Sequence, residues 1–252
     1  LQLSDSPLIL FGAFDRHNFG DLLLAEISAS VLQHRPLVFA GLAQRDLSAC
    51  GGREVRSIAE VAREWGEQPA DVVQTGGEIL TCSLYEAAVM LLSREAADRA
   101  IACHDADQAA RRAWSEELLG LRQQVAYLVP RLLFRHPRRF QYFGIGGTGL
   151  ATLPSSMKQE VFENLRHADH VWVRDRVTQA QLEQARIRTF LAPDPATATA
   201  RICGSRIASH RVNGEPAAVA ARFPRGYVAA QFSAEFGDDA TLHEIGGQLQ
   251  QV

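Results

Sequence analysis

The chain has almost no net charge: 26 Lys and Arg stand against 29 Asp and Glu, leaving −3. Nucleic-acid-binding proteins ordinarily present a basic face, so this balance gives no electrostatic reason to expect DNA or RNA as a partner. No apolar run approaches the roughly 18 residues that a membrane-crossing helix needs, and no signal peptide is recognisable. Cysteine is scarce. Cys50, Cys82, Cys103 and Cys203 are widely spaced and form no CxxC pair, which argues against zinc or a disulfide framework and for reduced thiols in the cytoplasm. The eight histidines fall into no HExxH or similar ligand spacing, so no metal is expected. There is no internal repeat and no low-complexity tract.

What the chain does have is 252 residues, 46% of them hydrophobic, enough to bury one large core or one domain and part of another. Short apolar runs alternate with segments of helical periodicity. Strands are expected at 8–11, 37–40, 71–74, 140–145, 170–173 and 187–191. Helices are expected after Asp21, around Val61 and Trp65, through 84–134 as two or three helices broken near His104–Asp105 and Gly120, and at 156–167 and 177–185. Alternating strands and helices imply an α/β fold with a Rossmann-like parallel sheet covered by helices on both faces. From 203 to 225 the periodicity lapses amid Gly204, Gly214, Pro216 and Pro224, which reads as a linker. Tyr227–Phe232 then resembles a new first strand and 240–251 a helix. The expected division is therefore a first domain over 1–202 and, at 226–252, the start of a truncated second Rossmann-like lobe.

Ligands of an open parallel sheet sit outside the carboxyl ends of its strands, so the residues just after each strand are the candidates. After the first strand come His17, Asn18, Gly20 and Asp21. Asp21 or His17 could accept a proton there, or Asn18 and Asp21 could simply cap the next helix. After the third strand, Gly76 and Gly77 let backbone approach a ligand closely, as tight turns also require, and Glu78 follows them. Gly146 ends a later strand. Arg174 could bind an anion or pair internally with Asp175, which could also cap a helix. Asp194 is held between Pro193 and Pro195, either at a site or as a simple turn acid.

Two features point away from the obvious reading. Gly144–Gly149 fits GxGxxG after a strand, but Leu150–Pro154 intervenes before the next helix, and Asp175 lies beyond the usual spacing of about 20 residues. A nicotinamide or flavin site is therefore disfavoured. Arg131, Arg135, His136, Arg138 and Arg139 could draw an anionic donor, but a short charge run reads more simply as a solvated helix end.

Taken together, these loops resemble the polysaccharide pyruvyl transferase family. The match rests on Asn18-Phe19-Gly20-Asp21, on Asp71 through Gly77, on Phe143 through Gly146, and on Val171 through Asp175 followed by Pro193-Asp194-Pro195. It spans roughly residues 8–232. The family often has a third glycine where Glu78 stands. The resemblance implies a glycosyltransferase-B-like pair of lobes, of which this chain is the N-terminal, acceptor-side one. It also implies transfer of pyruvate from phosphoenolpyruvate to a sugar as a ketal, in exopolysaccharide or cell-envelope glycan synthesis. In that reading Asp21, His17 and Arg174 are the catalytic candidates. Asn18, Gly20, Gly76, Gly77, Glu78, Gly146, Asp175 and Asp194 are the substrate-binding ones. No cofactor is implied, phosphoenolpyruvate being the donor substrate. The implied partner is a glycan or lipid-linked sugar; peripheral association with the inner face of the membrane and self-association stay open. The alternatives are a nucleotide-sugar glycosyltransferase of the same architecture and a non-catalytic sugar-binding or assembly domain. The basic and histidine residues that handle the donor in the family belong to the second lobe, so the fragment alone is expected to be weak or inactive.

Overall fold

A computed structural model describes residues 6–227 and 239–249. Two compact units divide between Ile202 and Cys203. In the first, the chain runs β1 (Leu8–Phe11), α1 (Phe19–Leu32), β2 (Leu37–Gly41), β3 (Arg45–Asp46), β4 (Glu54–Ser57), α2 (Ile58–Trp65), β5 (Pro69–Thr75), α3 (Leu84–Met90), α4 (Arg94–His104) and α5 (Gln108–Leu119). It continues through β6 (His136–Ile145), α6 (Ser155–Arg166), β7 (His170–Val173), α7 (Arg176–Gln184) and β8 (Phe190–Leu191) into α8 (Thr199–His210). The second unit takes up the remainder of α8, then α9 (Gly214–Arg222) and α10 (Asp239–Leu249).

The eight strands form one sheet in the order β3-β4-β2-β1-β5-β6-β7-β8, parallel except for the β3–β4 pair. Without the edge strand β3 this is the doubly wound, Rossmann-like order, and the chain reverses direction between β1 and β5. The fold is α/β, as the sequence implies. β1 reads Leu-Ile-Leu-Phe and is buried on both faces, each side chain contributing about 1.5–3 kcal/mol of burial. Ile9 and Phe11 join a core built with Ile58 and Val61 of α2, Leu84 and Ala88 of α3, Val161 and Leu165 of α6 and Leu182 of α7. Leu8 and Leu10 join the opposite face with Phe14, Val55, Val73 and Ala25 of α1.

The amino end of the sheet is fastened by a buried charge. Asp71, 1% exposed in β5, accepts from Arg35 at 2.7 Å and from Arg138 Nε at 2.7 Å. Arg35 also donates to the Ser6 and Pro7 carbonyls. The two guanidiniums outweigh burial and hold the Asp71 carboxyl below its ordinary range.

The structure differs from the sequence expectation in several places. Residues 84–119 are three helices, with Gly120 ending α5 at φ +66°. Residues 121–130 are not helical, although Leu121 and 125–129 are buried. Their polar groups are met by side chains: Gln74 accepts from the Val129 amide at 2.8 Å, and Glu160 accepts from the amides of Gln124 and Val125. An apolar run fixed in this way has no period to distinguish it from helix. The basic cluster is not a helix end. It covers a short turn and the start of β6, where Arg131 pairs with Asp169, Arg135 and His136 with Glu67, and Arg138 with Asp71.

The segment 203–225, expected as a linker, is largely helical. α9 exposes most of its residues and buries none, and Gly214 and Pro216 at its start read as loop punctuation in the sequence. Pro216 falls in its first turn, where proline is tolerated. α10 agrees with the helix expected at 240–251 as far as Leu249. The expected strand at 227–232 lies, past Tyr227, outside the described residues.

Candidate functional site

The turn after β1 leaves the sheet at Gly12, where a Cβ would lie 2.6 Å from the Thr75 carbonyl of β5. Only a glycine passes so close to the neighbouring strand end. Asn18 then caps α1, its Oδ1 accepting from the Asp21 amide at 3.2 Å. The capping role belongs to Asn18, which leaves the Asp21 carboxylate free for another partner. It accepts from Arg16 at 2.6 Å, with side chains 16% and 22% exposed. Burial raises the Asp21 carboxyl above its ordinary value, against the pull of Arg16. His17 and Gly20 are exposed in the same turn.

Arg16 is the centre of this corner. Besides Asp21 it contacts the Met90 sulfur at 2.9 Å, and its guanidinium lies 5.9 Å from the Tyr127 ring centre. Beneath it lies Asp15, fully buried, which accepts from the Ala43 amide at 2.8 Å. Gly41 makes room for that carboxylate, since a Cβ there would be 2.7 Å from Asp15 Cγ. Burial, partly offset by the Ala43 amide, raises the Asp15 carboxyl. It also pushes the Cys82 thiol up to about 12 and the Tyr127 hydroxyl upward. Three polar atoms in this corner, Asp15 Oδ1, Arg16 Nε and the Tyr127 hydroxyl, are buried without a hydrogen-bond partner. Such atoms are costly unless met by water or ligand.

The second group of candidates converges at the ends of β5, β6, β7 and β8. Glu78 accepts from the Thr148 amide at 2.5 Å and its hydroxyl at 3.0 Å. Arg174 bridges Glu78 at 3.4 Å and Asp194 at 3.0 Å. Gly77 and Gly146 lie against that guanidinium: a Cβ on Gly146 would be 2.7 Å from Arg174 Nε and 2.6 Å from Glu78 Oε2. Gly76 is filled by Ile79 in the same sense. The glycines of this rim therefore make space for a three-part ion network.

Asp175 is not part of that network. It caps α7, accepting from the Thr178 amide and hydroxyl at 2.7 Å each, while Thr178 accepts from the Gly147 amide. The Arg174–Asp175 ion pair suggested by the sequence is replaced by the pairs with Glu78 and Asp194. Asp194 also caps a 3-10 turn at Pro195–Ala198 through the Ala196 amide. That turn packs on α1, the helix that carries Asp21. Pro195 in turn fills the space over Gly144, whose φ of +68° and missing Cβ both demand glycine. Gly144 is thus a packing glycine. Gly149 lies in a 3-10 turn, Thr148–Thr152, and Leu153 and Pro154 follow before α6, so no α-helix opens at the third glycine of GxGxxG.

The structure brings together Asn18, Gly20, Asp21 and His17 in one turn, and Gly76, Gly77, Glu78, Gly146, Arg174 and Asp194 in one rim. Arg16, Asp15, Cys82 and Tyr127 were not singled out by sequence. Arg16 carried a signal, a basic residue five before an acidic one across a glycine turn. Tyr127 carried none, because it arrives from a buried irregular segment. Among the described residues no group of three or more His, Cys, Asp or Glu could hold a metal ion, and no helix is long and apolar enough to cross a membrane.

In comparisons with known proteins the chain matches no family model, no curated protein and no solved structure. Fold and local geometry are therefore the ground for any functional reading.

Proposed function

We propose that the chain is the acceptor-side lobe of a ketal pyruvyl transferase, which moves pyruvate from phosphoenolpyruvate onto two hydroxyls of a glycan or lipid-linked sugar. The observation that carries this reading is the Asp21–Arg16 pair in the turn after β1, beside the point where strand order reverses. A carboxylate raised by burial, yet tied down by a guanidinium, suits the removal and return of a hydroxyl proton.

The reaction balances as follows in terms of atoms. One sugar hydroxyl adds to C2 of the enol ester, forming an O–C2 bond and losing its proton to a base, while C3 receives a proton from an acid. The C2–O bond to phosphate then breaks, and phosphate leaves with the bonding pair. The second hydroxyl closes the ketal, and its proton ends on phosphate. Asp21 is assigned as the base for one hydroxyl, with exposed His17 the other candidate in the same turn. Arg174 is already paired with both Glu78 and Asp194, so its role here is to hold the rim loops in register. The cations that meet phosphate and carboxylate are expected from the second lobe.

The test is phosphate release from phosphoenolpyruvate, with sugar acceptors, by the full-length protein that carries both lobes, since the acceptor-side lobe alone is expected to release little. Acceptor-dependent release supports the reading. Thermal stabilisation by a nucleotide-diphosphate sugar, without any release from phosphoenolpyruvate, overturns it in favour of glycosyl transfer. Sugar binding without either activity overturns it in favour of a binding domain.

A further inference from the structure

A hollow of about 320 Å3 opens where α6 and α7 end and β7 and β8 begin, lined among others by Arg166, Asp169, His170, Arg186, Arg188 and Phe190. His170 and Phe190 are the first residues of their strands, so the hollow lies at the amino ends of the sheet, whereas Asp21 and the Arg174 rim follow the carboxyl ends. Its volume falls within the range of small-ligand sites, about 300–1,000 Å3.

The three arginines of the lining are all exposed. Among the described residues neither the Arg186 nor the Arg188 guanidinium has a hydrogen bond or an ion pair. Arg188 lies over the Phe190 ring at 5.2 Å, and Arg166 gives one N–H to the Ala185 carbonyl at 3.3 Å. Asp169, the one carboxylate among the described residues of the lining, is already met by Arg131 at 2.9 Å and by the Phe140 amide at 2.7 Å.

Arg186 also stands where glycine is usual. It follows α7 at φ +57°, the one non-glycine residue at positive φ among those described. Its amide donates to the Glu183 carbonyl at 2.8 Å, and the Ile187 amide donates to the Leu182 carbonyl at 2.9 Å, the bond pair of a left-handed helix end. Glycine or asparagine meets that conformation with less strain. What arginine adds there is charge.

That charge selects the ligand class. The carboxyl ends of α6 and α7 bring about −0.5 charge each to the hollow, so three guanidiniums leave an excess of about two positive charges. A single carboxylate is too weak a match. A phosphate monoester carries about −1.5 to −2 at neutral pH and three acceptor oxygens, which the forked donors of arginine fit in geometry. A bare phosphate displaces only a few waters of about 30 Å3 each, so room remains for the organic part of an ester.

We infer that this hollow binds the phosphate group of an organic phosphate monoester, with Arg186 and Arg188 as the principal donors and Arg166 beside them. It lies at the opposite end of the strands from Asp21 and rests on none of the transferase chemistry. The molecule held here is not the donor of that reaction.

The experiment titrates the full chain by calorimetry with glycerol phosphate, AMP and inorganic phosphate, with glycerol and adenosine as controls. His170 stacks on Trp172 with ring centres 5.1 Å apart, so the Trp172 indole signal in NMR reports a ligand in the hollow. A second arm floats the chain with vesicles of phosphatidylcholine, with and without phosphatidate. Binding of either ester that shifts Trp172, with the controls inert, supports the assignment and makes the ligand a soluble one. Flotation that needs phosphatidate, without binding of the soluble esters, supports it and makes the ligand a lipid headgroup. In either case Arg188→Gln should weaken binding about tenfold, near the worth of one charge-assisted hydrogen bond. Arg186→Gly should weaken it as much without lowering the urea midpoint, because glycine relieves the left-handed residue. Binding that both variants keep overturns the assignment, and so does binding of the controls as tight as that of the esters. No binding in either arm also overturns it and leaves the arginines to guard the exposed β8 edge against pairing.

Discussion

Replacing Asp21 by asparagine separates its charge from its shape. The carboxylate accepts from Arg16 at 2.6 Å and is 16% exposed, and the α1 cap is made by Asn18, so it survives the change. An amide oxygen can still accept from Arg16, so only the charge-assisted part of the bond is lost, about 1 kcal/mol. Asp21→Ala goes further. It leaves a half-buried guanidinium with only the Met90 sulfur and the Tyr127 ring as neighbours, at a cost of about 2–3 kcal/mol. If Asp21 takes the hydroxyl proton, either variant loses turnover by about 10²–10⁴-fold. The assay pairs phosphate release from phosphoenolpyruvate with urea unfolding of the same preparation. Because burial raises the Asp21 carboxyl, wild-type kcat/KM should fall as pH drops through that raised value, and the asparagine variant should lack this limb. An Asn variant within about threefold of wild-type activity would refute the role of Asp21 as base. Equal destabilisation by Asn and Ala would refute the account of the Arg16 bond.

Arg174→Lys keeps the charge, but one ammonium cannot bridge Glu78 and Asp194 as the guanidinium does. About tenfold lower turnover with a stability loss near 1 kcal/mol is expected, and full tolerance in both assays would reduce Arg174 to a surface charge. Asp71→Ala leaves Arg35 and Arg138 facing a buried vacancy and should cost about 3–5 kcal/mol in urea unfolding. Since the folded-state value of Asp71 is lowered, its contribution is present above the ordinary carboxylate range and lost as pH falls through the lowered value; a loss under about 1 kcal/mol would contradict the clamp. Asp15 has the opposite sign. Its folded-state value is raised, so its contribution is fully present below the ordinary carboxylate value and is lost as pH rises through the raised one. Asp15→Asn should therefore gain in stability relative to wild type between acid and neutral pH, and a difference that does not change with pH would refute the burial of an ionisable Asp15.

The sequence by itself determined the fold class and the places where chemistry could sit. Leu8–Phe11 is a continuous apolar run and Val72–Val73 a strand-forming pair, and a strand buried on both faces leaves little other pattern. Gly12, Gly76, Gly77 and Gly146 mark strand ends because backbone must pass close to other groups there, and that requirement is local enough to be written in single residues. Asn18 at the head of α1 is legible for the same reason. What the sequence could not hold is pairing across distance. Arg174 and Asp175 are adjacent, yet the strand turns their side chains to different partners: Arg174 to Glu78 and Asp194, Asp175 to Thr178. Tyr127 reaches the Arg16 corner from a buried segment without period, held by Gln74 and Glu160 from far along the chain. The helices between 203 and 222 were hidden because Gly204, Gly214 and Pro216 stand inside them, residues that mark loops more often than helix interiors. Local backbone demands are recorded in residue type, but the partner of a buried charge is settled only when the sheet assembles and leaves each group the neighbours that remain.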